Sequence, residues 1–178
     1  MTQPFRDPLL SITRAIIFIV QAVLLFAAAV LTVATPLVVV LRDRITAALK
    51  AEYGEAALVL PIGAMTALLL LALLMIVLSW LFLRHLRRII DTVGQGDPFV
   101  SANAERLTAM AWLMLAAQVV AIPLSALAVY IGTVTRDPVA STNFDFDLSG
   151  IILVVTLFIL ARVFRQGTAM RDDLEGTV

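Results

Sequence analysis

The chain alternates long apolar runs with short polar connections. A helix of about 20 residues crosses the roughly 30 Å of hydrocarbon in a bilayer, and four runs reach or approach that length: Ala15–Leu41, Ala56–Leu83, Leu107–Ile131 and Leu148–Phe164. No strand-like alternation runs long enough to indicate a barrel. The pattern predicts an all-α fold, a four-helix transmembrane bundle in which residues 1–178 form a single integral membrane domain.

Composition supports this prediction. Hydrophobic residues make up 61% of the chain and charged residues 15%, compared with about 25% charged residues in soluble domains. The mean hydropathy is +1.01, so the chain cannot cover its apolar surface with polar groups. The net charge of zero gives no general attraction to nucleic acid, and we expect no direct nucleic-acid binding. The first apolar run exceeds the apolar region of a signal peptide, about 7–15 residues, so we expect it to be retained.

Lysine and arginine are distributed unevenly between the connections. Nine of the 13 belong to the N-terminus, the connection 84–106 and the C-terminal segment, whereas four belong to the connections 42–55 and 132–147. Short connections rich in these residues stay in the cytoplasm. The count therefore predicts a multi-pass membrane protein with both termini in the cytoplasm.

The connection 84–106, named the elbow below, has the most specific sequence. Its first part carries an apolar stripe with i, i+3, i+4, i+7 spacing, formed by Leu86, Ile89, Ile90 and Val93. We therefore expect the second helix to extend beyond the bilayer into the cytoplasm. Arg87 and Asp91 are spaced to form an ion pair on that extension.

The middle of the elbow contains residues that end one helix and begin another. Gly94 or Gly96 can adopt the left-handed conformation that terminates a helix, and Pro98 prevents the helix from continuing. Ser101 or Asn103 can cap the third helix. The elbow is thus interpreted either as a well-formed helical hairpin turn or as a docking surface for a cytoplasmic partner, and the two interpretations are compatible.

The stretch RRIIDTVGQGDPFVSANAERLTAMAW also follows a recognisable pattern. A basic segment is followed by Val-x-x-Gly-x-Pro-Phe, by Asn-x-x-Arg-Leu and by a large apolar residue, at Val93, Gly96, Pro98, Phe99, Asn103, Arg106, Leu107 and Trp112. In these residues the chain resembles the bacterial membrane family named domain of unknown function 2975 (DUF2975). The ending LARVFRQGTAMRDDLEGTV is similar to the family's Glu-x-Phe-x-x-Gly segment and acidic tail, although Arg162 stands where the family often has Glu or another polar residue.

This resemblance implies a four-span protein of the bacterial inner membrane without established activity. Genes of the family often lie beside one for a small helix-turn-helix regulator. The resemblance implies a regulatory membrane protein that holds or controls a DNA-binding protein at its cytoplasmic face. The residues expected to bind such a partner are Arg87, Arg88, Phe99, Asn103 and Arg106 in the elbow, with Arg165, Arg171, Asp172 and Asp173 in the tail.

Residues suited to catalysis are scarce. The apolar runs hold no Asp, Glu or Lys at mid-membrane depth, where proton relays and coupled transporters usually need one. The sequence shows no cysteine, no nucleophile–base pair and no phosphate-binding loop. His85 is the only histidine and has no carboxylate cluster beside it. We therefore expect no enzyme activity, no cofactor and no metal site.

Two other functions stay open at this stage. Gln21 and Gln118 lie within apolar runs, where an amide needs an interhelical partner. One role for these amides is to hold the helices of the bundle together. Another is to line the polar path of a transport or channel subunit. Small residues recur every four positions on the third helix, at Ala117, Ala121 and Ser125. This stripe allows close helix approach and is compatible with a structural homo-oligomer.

Overall fold

Helices account for nearly all of the described chain. The structure is a computed structural model that describes residues 8–53, 62–135 and 148–175. Within these ranges the chain forms five helices and no strand: α1 (Pro8–Val40), α2 (Arg42–Tyr53), α3 (Ile62–Gly94), α4 (Ser101–Thr135) and α5 (Leu148–Glu175). Four of them, α1, α3, α4 and α5, are long and apolar enough to cross a membrane. The predicted all-α class with four spanning helices is confirmed.

The helices extend beyond the apolar runs. Helix α1 begins before Ala15, and α5 continues past Phe164 to Glu175, so the described part of the basic tail is helical. The connection 42–55 contains helix α2 rather than an irregular loop. Hydropathy marks the part of a helix suited to hydrocarbon, whereas backbone hydrogen bonding continues into polar sequence until a residue ends it.

Helix α3 is continuous from the second apolar run into the elbow. Its 33 residues correspond to about 50 Å at 1.5 Å per residue, which exceeds the roughly 30 Å of a hydrocarbon core. Residues 56–61 of the predicted span lie outside the described residues. The side of the membrane on which α3 ends stays a prediction from the lysine and arginine count.

Contacts divide the chain into two compact units. The elbow unit consists of Met1–Leu24, Leu78–Gln118 and Asp147–Val178. The second unit consists of Leu25–Val77 and Val119–Phe146. Each unit takes segments from several helices. The single integral membrane domain inferred from the sequence stays a prediction.

In the elbow unit, α3, α4 and α5 pack around one apolar core. The buried residues are Leu107, Met110, Ala111, Leu157 and Ala161. Leu86 and Ile89 of the predicted α3 stripe pack against them, whereas Val93 is 39% exposed. Helices in a membrane associate through close packing rather than through exclusion of apolar surface from water. The small side chains in this core, Ala111 and Ala161, allow that close approach.

In the second unit, hydroxyl groups bond to their own helices. Thr32 donates to the Ala28 carbonyl at 2.7 Å and Thr66 to the Ile62 carbonyl at 2.8 Å. Ser125 donates to the Ala121 carbonyl at 2.9 Å. These bonds satisfy the hydroxyl donors without a partner helix. Ala121 and Ser125 of the small-residue stripe are half-buried, and the homo-oligomer stays a prediction.

Candidate functional site

A helix-ending turn fixes the start of the non-helical part of the elbow. Gly96 has φ +85°. Its N–H donates to the Val93 carbonyl at 3.0 Å, and the Asp97 N–H donates to the Thr92 carbonyl at 3.2 Å. This pair of bonds is the Schellman motif. Of the two glycines that the sequence offered, Gly96 is the one in the left-handed conformation, and Pro98 follows it.

Asn103 connects three parts of the elbow and is fully buried, with 0% exposure. Its Nδ2 donates to Thr92 Oγ1 at 2.8 Å and to the Pro98 carbonyl at 2.9 Å. Its Oδ1 accepts from Arg106 Nη1 at 2.8 Å. The side chain therefore joins the end of α3, the turn and the first helical turn of α4, and both amide N–H groups and the amide oxygen have partners.

The structure corrects two expectations about this residue. Asn103 does not cap α4 with its side chain, because that side chain is directed across the elbow at Thr92. Its backbone N–H donates instead to the Val100 carbonyl at 2.8 Å. Asn103 is also too buried to contact a partner in this conformation. Its position in the elbow assigns it a role in holding the turn.

Arg106 shares this role. Besides Asn103, its Nη1 donates to the Arg88 carbonyl on α3 at 3.2 Å. Thr92, the other neighbour of Asn103, donates its hydroxyl to the Ile89 carbonyl at 2.7 Å. The Arg106 bond joins α3 to the start of α4, whereas the Thr92 hydroxyl bond lies within α3. Arg106 is half-buried and is engaged within the chain.

Phe99 packs against α5. Its ring centroid lies 5.4 Å from that of Phe164, with the planes tilted by 35°. A Cβ at Gly167 would lie 2.8 Å from a carbon of the Phe99 ring, closer than packed atoms tolerate. Phe164 and Gly167, the Phe-x-x-Gly segment of the tail, thus form the surface on which Phe99 of the elbow packs. Phe99 keeps 43% of its surface exposed.

Ion pairs join the elbow to both terminal helices of the chain. Arg171 on α5 pairs with Asp97 in the turn. Arg14 on α1 pairs with Asp91 on α3, with 3.0 Å between Nε and Oδ1. The expected partner of Asp91 was Arg87, and the structure replaces it with Arg14. Each of these four paired side chains is nearly half exposed, so each pair adds little stability but restricts the geometry.

The remaining predicted partner-binding residues lie at the surface of the elbow unit. Arg87 and Arg88 on α3 and Arg165 and Asp173 on α5 are exposed. The side chain of Asp172 lies outside the described residues. The structure therefore brings the elbow and the tail together in one unit through contacts of Phe99 and Arg171.

The two intramembrane amides both belong to the elbow unit. Gln21 is buried with 9% exposure. Gln118 Nε2 is buried and has no hydrogen-bond partner, and it lies 1.2 Å from the position that a Cβ on Gly150 would occupy. The neighbour of Gln118 is thus a glycine backbone where α4 and α5 approach closely. A polar path lined by the two amides stays a prediction.

Sequence reasoning missed several residues that hold the elbow. Phe164 and Gly167 entered only as part of a tail pattern, and neither Asp97 nor Thr92 was assigned a contact. The sequence did contain a signal for Thr92. A hydroxyl near the end of one helix and an amide in the first turn of the next can form a hydrogen bond across a short turn. No comparable signal pointed to the pairing of Arg14 with Asp91.

These features define an all-α, multi-pass membrane protein with an ordered polar elbow between two spanning helices. The family described as "Protein of unknown function (DUF2975)" matches residues 83–178, more than half of the chain, and the protein belongs to this family. The matched region contains the turn, α4 and α5, and hence the contacts of Asn103, Phe99 and Asp97. Comparison with curated proteins and with solved structures gives no match.

Proposed function

We propose that this protein is a non-enzymatic regulatory membrane protein of the bacterial inner membrane. In this proposal, the surface formed by the elbow and α5 binds a small cytoplasmic helix-turn-helix regulator. The main support for the proposal is that the turn is attached to α5 through the Phe99–Phe164 contact and the Asp97–Arg171 ion pair. A simple connector between two spans needs no contacts with a helix about 70 residues away.

A fixed surface favours binding because less conformational entropy is lost on association. Asn103 and Arg106 hold the turn from the α3 side, and Phe99 holds it from the α5 side. These residues are therefore proposed to position the surface. The contacting residues are then the exposed charged ones, Arg87 and Arg88 foremost. The excess of lysine and arginine supports a cytoplasmic location for them, and the family resemblance supports the class of partner.

Co-purification tests this proposal. The full-length protein is purified in detergent from cells that also produce any small helix-turn-helix regulator encoded beside its gene. Arg87→Gln combined with Arg88→Gln is expected to reduce the retained regulator about tenfold, the equivalent of about 1.4 kcal/mol. The matched control is Arg42→Gln with Arg44→Gln, two exposed arginines of α2, for which no change is expected. Absence of the regulator from the wild-type complex, or equal loss in both pairs, contradicts the proposal.

The transport alternative makes the opposite prediction for the buried amides. Gln21→Leu with Gln118→Leu removes polar groups from the interior of the elbow unit without touching its exposed charges. Under the regulatory proposal this double variant retains the regulator. If instead the amide double variant abolishes the function of the protein in cells, while Arg87→Gln with Arg88→Gln does not, a transport or channel function replaces the regulatory one.

A further inference from the structure

A groove runs along α5 on the surface of the elbow unit. It encloses about 480 Å³, within the range of about 300–1,000 Å³ found for small-molecule sites. Thr108 of α4 forms one wall, and α5 forms the rest with Phe158, Ala161, Arg162, Arg165, Gln166 and Ala169. The α5 positions follow helical spacing, so they present one continuous face of the helix.

The contacts between α4 and α5 show how this groove is oriented. Gln118 lies on Gly150 and Trp112 packs edge-on against Phe158, with ring centroids 5.5 Å apart. Asp97, just before α4, pairs with Arg171. The two helices are therefore antiparallel, and the groove becomes more polar toward the elbow. Its apolar end has Phe158, with Trp112 beside it.

The polar end holds two cations without counter-ions. Arg162 and Arg165 are exposed, and among the described residues neither forms an ion pair. Three other arginines of the elbow unit are engaged within the chain, Arg14 with Asp91, Arg171 with Asp97, and Arg106 with Asn103. Arg87 and Arg88 are exposed but do not line the groove. Two arginines one helical turn apart and an amide, Gln166, line this end of the groove, and these groups are suited to the oxygens of a phosphate.

We propose that this groove binds one anionic phospholipid. Arg162, Arg165 and Gln166 hold its phosphate, and an acyl chain lies along Phe158 and Trp112. A protein that spans the membrane meets phospholipids along the sides of its helices, and an amphipathic aromatic such as Trp112, 60% exposed, is suited to the interface between headgroups and hydrocarbon. The occupant is a lipid because the groove pairs a cationic end with an apolar end. This inference does not depend on the proposed regulatory partner.

The experiment uses Trp112 as its reporter. The chain has two tryptophans, so Trp80→Phe leaves Trp112 alone beside the groove. The full-length variant is reconstituted into phosphatidylcholine vesicles, and lipids with brominated acyl chains quench its fluorescence. Brominated phosphatidylglycerol should quench at about 25-fold lower mole fraction than brominated phosphatidylcholine. This factor corresponds to about fivefold for each arginine near the membrane surface.

Three further variants locate the site. In the Trp80→Phe background, Arg162→Gln with Arg165→Gln should abolish the preference for phosphatidylglycerol over phosphatidylcholine. The matched charge removal Arg42→Gln with Arg44→Gln should leave it intact. Ala169→Phe, which fills the groove at an exposed position, keeps both charges and adds no second tryptophan, should reduce the preference at least fivefold.

Without added phosphate, four outcomes would overturn the proposal. They are equal quenching by the two lipids in the reference protein, an unchanged preference in the Arg162/Arg165 variant, an unchanged preference in Ala169→Phe, and an equal loss in the Arg42/Arg44 control. Millimolar inorganic phosphate is included in a further arm. Removal of the phosphatidylglycerol preference by that concentration would show a site for free phosphate instead of a lipid, and would also overturn the proposal.

Discussion

Asn103 and Gly167 decide the fold of the elbow at the scale of single residues. The sequence singled out Asn103, but as a helix cap and a partner contact. The structure buries it and gives its amide partners on α3, the turn and α4. Where a side chain is directed depends on the angle between two helices, which hydropathy and spacing do not encode. The importance of the residue was therefore predictable, whereas its role was not.

Removal of the Asn103 amide tests this role. Asn103→Ala leaves the Pro98 carbonyl without its amide donor and removes an acceptor of Arg106. An unsatisfied buried polar group costs about 1–3 kcal/mol, so we expect about 2 kcal/mol lower stability of the solubilised protein. Thermal unfolding monitored by tryptophan fluorescence measures it. Glu105→Gln, at an exposed position near the start of the same helix, is the control. Equal shifts in the two variants would refute the assigned role.

We expect that position 167 must be glycine, because the Phe99 ring packs where a side chain would begin. Gly167→Ala places a Cβ 2.8 Å from a ring carbon, so the Phe99 ring must move away from α5. Overpacking of this kind lowers the free energy of unfolding by about 1–3 kcal/mol. Gly63→Ala is the matched control, since nothing lies within 4 Å of its added Cβ and alanine favours a helix by about 0.5–1 kcal/mol over glycine.

A double-mutant cycle completes the Gly167 test. Phe99→Ala removes the ring, so Gly167→Ala should then destabilise the protein by less than about 0.5 kcal/mol. Chemical denaturation in detergent is the measurement. If Gly167→Ala is as harmless as Gly63→Ala in the presence of Phe99, the ring does not sit against this glycine.

At the scale of elements, helix ends were predicted better than helix contacts. The local sequence Gly-Gln-Gly-Asp-Pro limits where α3 can stop, because glycine accepts a left-handed backbone and proline cannot continue a helix. The prediction of a stop at Gly94 or Gly96 follows from these local rules. The packing of Phe99 on α5 and the pairing of Asp91 with Arg14 depend on contacts distant in the sequence, which local sequence rules do not reveal.

A graded series at Gly96 tests the turn. Its φ of +85° is strained for alanine by about 1–2 kcal/mol, whereas asparagine visits the left-handed region more readily. We expect stability to fall from Gly96 to Gly96→Asn to Gly96→Ala, measured by thermal unfolding of the solubilised protein. Gln95→Ala, at the preceding exposed position, should have no effect. If alanine is tolerated as well as glycine, the turn is not formed as described.

At the scale of the whole molecule, the number of spanning helices was predictable because hydrocarbon imposes a length and an apolarity on each. The extra length of α5 and the helical nature of α2 were not, since both consist of polar sequence that hydropathy assigns to connections. The direction in which the chain crosses the membrane follows from lysine and arginine alone. The elbow acts as a cytoplasmic surface only if that direction is right.

Reporter fusions test the direction of crossing. Alkaline phosphatase fused after Leu49 should be active, because the enzyme needs disulfides that form outside the cytoplasm. The same fusion after Gln95, in the turn, should be inactive. A reporter that is active only in the cytoplasm should give the reverse pattern at both sites and controls for expression. The positive charges favour this result, with nine on the elbow side and four on the other. An active phosphatase at Gln95 would place the elbow, Arg87 and Arg88 outside the cytoplasm. It would thereby remove the basis for a cytoplasmic regulator, while the phospholipid groove would remain possible because anionic lipids occur in both leaflets.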